Sequence, residues 1–161
     1  MFLFSTGGGG NWQNTSDIIT KIADKGYKIL NLSRQKIDKK NVINLFVPYE
    51  EVPKYLNAVD LAVVWRDDNI VNNVASPVKF SEYVCVGLPV IANNGVRLIE
   101  NYINETKYGQ VIDGFDEIDD QLVENFISLD REKISEEGFN KYSSKTIIDQ
   151  YLSMYSDMME N

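Results

Sequence analysis

The pattern that most restricts the fold is an alternation between short, continuous apolar runs and longer amphipathic segments. Leu61-Ala62-Val63-Val64-Trp65 and Pro89-Val90-Ile91-Ala92 carry no polar position. A strand with one wet face would alternate apolar and polar residues, so unbroken runs belong to strands covered on both sides. Residues 2–5, 27–32, 42–47 and 109–112 read as further strands. Between them, Asn14, Thr15 and Ser16 offer caps to a helix whose Ile18, Ile19, Ile22 and Ala23 share one face and which stops at Gly26. Helices are expected over 50–58 and 77–86, and around Leu98, Ile99, Tyr102 and Ile103, with residues 66–75 as a polar loop. Beyond the last strand, Phe115, Ile118, Leu122 and Phe126 recur at helical spacing, as do Ile147, Tyr151, Leu152 and Tyr155. Tyr151 and Tyr155 are expected in the core. Strands alternating with helices imply right-handed crossovers, hence an α/β fold: one doubly wound, Rossmann-like parallel sheet with helices on both faces. The one candidate boundary is the charge cluster at 130–137.

Composition removes several chemistries. The 161 residues hold 16 basic and 24 acidic side chains, a net charge of −8 that opposes broad binding to nucleic acid or anionic membrane. There is no histidine, which excludes Ser-His-Asp and Cys-His nucleophile schemes and His-containing zinc sites. A single cysteine, Cys85, forbids an internal disulfide and any Cys-cluster metal site. No apolar run approaches a membrane span, and the N-terminal run is too short for a signal peptide. The expected location is cytoplasmic, with the inner membrane face reached through a partner or a missing domain.

In doubly wound sheets ligands sit beyond the carboxyl ends of the strands, where strand order reverses. Four segments fall there: residues 7–14, 47–51, 66–79 and 93–97. The first holds Gly7 to Gly10 but matches no dinucleotide fingerprint, because the sixth position from Gly7 is Trp12 and from Gly8 is Gln13, and it lacks the Gly-Lys-Ser/Thr of a P-loop. The amides of Gly8 and Gly9 suit a phosphate or sugar oxygen; a flexible turn is the alternative.

Residues 75–92 carry the most information. Ser76 suits an N-cap and Pro77 the first helical position, while Gly87 ends the helix and Pro89 prevents its continuation. The amides at such a helix start, beside Ser76, Pro77 and Val78, attract a phosphate. Lys79 and Glu82 share a face, either as site residues or as a surface ion pair of little energetic weight.

The run Ser76-Pro77-Val78-Lys79 through Glu82-Tyr83 to Gly87-Leu88-Pro89-Val90-Ile91-Ala92 resembles the donor-site segment of family 4 type glycosyltransferases with the GT-B fold. Trp12 after the glycine loop, Phe46-Val47-Pro48-Tyr49 through Leu56, Ala58 and Asp60, and Tyr108-Gly109-Gln110-Val111-Ile112 fit the same pattern in order. The resemblance extends over about residues 1 to 155, the C-terminal, donor-binding half of such an enzyme. It implies retaining transfer of a sugar from a nucleoside-diphosphate donor to an acceptor held by an N-terminal domain absent from this chain, with residues 1–161 as the nucleotide-sugar-binding domain.

By that pattern two glutamates bracket the donor. Glu82 matches the second, which accepts hydrogen bonds from the ribose diol. The first falls at Val74, which offers no polar contact, and Gln13 stands near an expected lysine. Arg66 and Lys79 are the expected catalytic cations, neutralising charge as the diphosphate departs; for Arg66 a solvated loop residue beside Asp67 and Asp68 is the alternative. Tyr49 is placed against the base or, alternatively, packed in its loop; Arg97 sits near a helix start. The acids Asp60, Asp67 and Asp68 lack the spacing of a calcium loop, and neither metal nor cofactor is expected beyond the nucleotide-sugar as donor substrate. The family context implies cell-surface polysaccharide or glycan synthesis. A non-catalytic nucleotide-sugar-binding subunit completed by a partner chain is the second reading, and a GT-B epimerase fragment the third. Against a receiver domain, no acidic pair follows the first strand; against a flavodoxin, no Ser/Thr-rich phosphate cradle does.

Overall fold

The computed structural model describes residues 3–6 and 15–159. Six parallel strands, β1 (Leu3–Thr6), β2 (Lys28–Leu32), β3 (Val42–Leu45), β4 (Leu61–Val64), β5 (Val90–Ala92) and β6 (Gly109–Val111), form one sheet in the order β3-β2-β1-β4-β5-β6. That order is doubly wound, and it reverses between β1 and β4, so the crevice at their carboxyl ends is where this architecture takes ligands. The register Ser5↔Ala62 joins the two sides of the sheet at that point, with Ile29↔Val42 and Val63↔Ile91 on either side of it.

The unbroken apolar runs are buried on both faces. In β4, Leu61 and Val63 join a core formed with α1 (Thr15–Asp24) and α6 (Asp120–Ile127); Ala62 and Val64 join the opposite core with α2 (Val52–Leu56), α4 (Val78–Cys85) and α5 (Arg97–Thr106). In β5, Ile91 faces the first core, and Val90 and Ala92 the second. Each fully buried branched side chain contributes on the order of 2 kcal/mol.

Several local expectations change. The segment 66–75 is not all loop: Asn69 accepts from the Asn72 amide and caps α3 (Ile70–Asn73). The stretch expected as one helix from Phe115 is a single 3₁₀ turn, Phe115–Glu117, followed by α6, which Asp119 caps. The charge cluster at 130–137 is no boundary. Asp130 caps α7 (Arg131–Tyr142), which lies along α4 as part of the same body. There the guanidinium of Arg131 donates to the carbonyls of Val59 at 3.0 Å and Val86 at 3.3 Å.

Tyr151 and Tyr155 are not core residues. They stack on each other along α8 (Ser144–Met159), 55% and 57% exposed, on a helix that buries no side chain.

Candidate functional site

The site is organised by α4. Its C-terminal end is closed firmly: Leu88 N–H donates to the Tyr83 carbonyl and Gly87 N–H to the Val84 carbonyl, both at 3.0 Å, with Gly87 at φ +80°. Only glycine adopts that conformation without strain, and a Cβ there would also lie 2.2 Å from the Arg131 carbonyl oxygen. The N-terminal end is open. Ser76 does not cap it, and Pro77 is not its first helical residue; Pro77 occupies the cap position in extended conformation, and no side chain accepts from the first turn. Proline has no side-chain acceptor, so the leading amides of α4 point out of the carboxyl edge uncapped by any described residue.

Beside α4 lies a cavity of about 680 Å³. The connection after β3, with the 3₁₀ turn Tyr49–Glu51 and α2, forms one wall; α4 supplies Val78, Ser81, Glu82, Cys85 and Val86; Tyr142, Ser144, Ile147 and Ile148 of α7 and α8 close the third side. Four residues that the sequence selects, Tyr49, Ser76, Val78 and Glu82, meet here from two separate segments. Among the described residues the lining contains two carboxylates, several hydroxyls and no lysine or arginine.

Glu82 and Lys79 do not form a freely solvated surface pair. The Glu82 side chain is only 15% exposed, and its Oε2 is shut off from solvent at 2.9 Å from Lys79 Nζ, a contact off the direction of a hydrogen bond. Tyr49 is not a packed loop tyrosine either. Its ring is 67% exposed, and the Glu82 carboxylate, then burial, hold its phenol above the ordinary value.

Arg66 is half-buried at the end of β4, and burial lowers its guanidinium below the usual value. Its backbone is fixed from the next loop: Asn93 Oδ1 accepts from Arg66 N at 3.0 Å, while Asn93 Nδ2 donates to Arg66 O at 2.6 Å. Gly95 completes the seat, since a Cβ there would stand 2.3 Å from the Arg66 carbonyl oxygen. Sequence reasoning marks the loop 93–97 but not these two residues, whose signal is the Asn-Asn-Gly punctuation after a buried strand. Val74 is 81% exposed, and Arg97 begins α5. Gly8, Gly9, Trp12, Gln13 and the proposed cap Asn14 lie outside the described residues. Among the described residues no group of three or more acids or cysteines is placed to hold a metal ion, and no helix is long and apolar enough to cross a membrane.

Comparison with known proteins agrees with this architecture. The structure is similar to AviGT4, a glycosyltransferase involved in avilamycin A biosynthesis, with TM-score 0.70 and 15% identity over 99% of this chain and 52% of that one. The GtfA/B complex follows with TM-score 0.64 and 11% identity, over 99% of this chain and 36% of that one. The catalytic domain of cholesterol-alpha-glucosyltransferase from Helicobacter pylori matches 91% of this chain and 97% of its own, with TM-score 0.57 and 18% identity. At these identities the likeness is one of fold, and the chain spans about half the length of AviGT4. No curated protein sequence matches significantly. The family model described as "Glucosyltransferase 3-like, C-terminal domain" matches residues 10–146, and with most of its length inside that match the chain belongs to this family of glycosyltransferase C-terminal domains.

Proposed function

We propose that this domain binds the nucleoside-diphosphate sugar of a retaining glycosyltransferase and presents it to an acceptor held by another domain or chain. The observation that carries this reading is the cavity beside α4. It joins a shielded carboxylate, Glu82, an exposed aromatic ring, Tyr49, and hydroxyl and apolar walls, directly alongside an uncapped helix start.

The division of charge supports one placement of the two ends of the ligand. A cavity with carboxylates and no cation among the described residues suits a neutral nucleoside, whose ribose diol donates to the Glu82 carboxylate. The diphosphate belongs outside it, at the open amides of α4 with Ser76, Pro77 and Val78, and near Lys79 and Arg66. Gly8 and Gly9 are assigned to the same phosphates on sequence grounds. Arg66 and Lys79 would stabilise the charge that collects on the leaving diphosphate, the main electrostatic demand of the transfer.

Ribose recognition separates this reading from general nucleotide affinity. A ribonucleoside diphosphate should bind the wild-type chain roughly tenfold more tightly than its 2′-deoxy counterpart, as expected for a charge-assisted hydrogen bond. Glu82→Gln should weaken the ribonucleotide and erase most of that difference. Equal affinity for both nucleotides in the wild type, by calorimetry, contradicts the assignment of Glu82. The GtfA/B neighbour is a complex, which supports completion of the site by a partner chain as the second reading.

A further inference from the structure

The charge of this acidic chain is strongly segregated. Lys25, Lys28, Arg34, Lys36, Lys39 and Lys40 fall within residues 25–40 against one acid, Asp38, whereas the rest of the chain holds ten basic residues and 23 acidic ones. These residues do not line the cavity beside α4.

The fold sets Arg34, Lys36, Lys39 and Lys40 along one lateral edge, while Lys25 turns away to donate to the carbonyls of Asp116 and Ile118. β3 is the outermost strand, and residues 33–41 run back beside it from the carboxyl end of β2 to the start of β3. This connector is rigidly held. Asn31 and Asn44 face each other in register, and Asn31 Nδ2 donates to Asn44 Oδ1 at 2.9 Å and to the Gln35 carbonyl at 2.7 Å. Asn44 exchanges hydrogen bonds with both the N–H and the carbonyl of Ile37, whose side chain is buried. Anchored through alternate residues, the connector turns Arg34, Lys36 and Lys40 outward, and none of the three forms an ion pair among the described residues. Two apolar side chains stand out from the same edge: Phe46, 64% exposed with the Arg34 guanidinium 4.7 Å over its ring, and Ile43, 45% exposed.

Lysines on an edge strand are a known guard against strand-to-strand aggregation. That role does not call for a protruding phenylalanine or for an asparagine pair, Asn31 buried and Asn44 half-buried, bracing the basic segment. We propose that this edge is a docking surface for an anionic lipid bilayer, with Arg34, Lys36 and Lys40 on the headgroups and Phe46 inserted at the interface. Aromatic rings beside lysine and arginine are the composition of interfacial anchors. The net charge of −8 does not prevent it, because fields are screened within about 8 Å at physiological salt and the acidic remainder orients the basic edge toward the surface.

The test is co-sedimentation of the whole chain with large vesicles of phosphatidylcholine alone or mixed with phosphatidylglycerol. Binding is expected only to the anionic vesicles, and it should weaken steeply with added salt. Each basic residue near such a surface changes binding roughly fivefold, so Arg34→Gln/Lys36→Gln/Lys40→Gln should lose on the order of a hundredfold while melting at the wild-type temperature. Phe46→Ser should weaken binding without reducing its salt dependence. Equal recovery with neutral vesicles, or unchanged binding by the triple variant, overturns the proposal. Competition by polyglutamate or single-stranded DNA as effective as that by the anionic vesicles assigns the edge to an acidic macromolecule and likewise overturns it.

Discussion

Gly138 sits inside α7, where alanine would ordinarily add about 1 kcal/mol of helix propensity. Here a Cβ would lie 2.6 Å from the Val84 carbonyl oxygen and 2.7 Å from its carbon, both backbone atoms of α4. Overpacking against an immovable backbone costs about 1–3 kcal/mol, so the clash outweighs the propensity. Gly138→Ala is expected to lower the melting temperature by roughly 2–6 °C in a calorimetric scan, given about 2–4 °C per kcal/mol for a domain of this size. A higher melting temperature would show that α7 and α4 can separate freely. Gly138 is not legible in sequence, and of Gly95 only the turn punctuation is, because the close approach of each is to one distant carbonyl. Glu82 and Tyr49 are legible as candidates; their juxtaposition is not, since it depends on how the connection after β3 folds over α4.

Among the elements, the buried strands and most helices follow from apolar periodicity and from Gly and Pro punctuation, which act locally. The departures arise where tertiary contacts decide. The cluster at 130–137 looks like a linker by charge, yet Asp130 caps α7 and Arg131 reaches the carbonyls of Val59, in the turn after α2, and of Val86, at the end of α4. Hydrogen bonds from a charged donor are worth about 1.5–3 kcal/mol in such settings. Arg131→Ala should therefore lower the urea midpoint by an amount equivalent to about 2–3 kcal/mol with little change in slope. A shift below about 0.5 kcal/mol would mean that water replaces the guanidinium without loss. Helix α8 departs for the opposite reason. Periodicity shows that Ile147, Tyr151, Leu152 and Tyr155 share a face but carries no information about what covers it, and in this chain that face is exposed.

At the scale of the whole molecule, the tyrosines tie stability to alkaline pH. Burial, reinforced by the hydrogen bond to Asp120, pushes the Tyr27 phenol up to about 12, and burial raises Tyr102 and Tyr142 as well. A raised phenol keeps its proton longer in the folded state than in the unfolded chain, which titrates near 10. This contribution is intact below pH 10 and is lost as pH climbs through about 12. Urea midpoints should fall between pH about 10 and about 12, less steeply in Tyr27→Phe, and a flat profile would contradict the shift. Architecture and family membership together make the chain a glycosyltransferase C-terminal domain, which on the proposed function holds the donor nucleotide by itself. The most direct measurement is ligand-observed NMR with UDP, GDP, ADP and CMP against the folded wild type and Glu82→Ala. Saturable binding of one nucleoside diphosphate is expected, lost or weakened at least about tenfold by the substitution. Binding of none of them, or binding that Glu82→Ala leaves untouched, would contradict it.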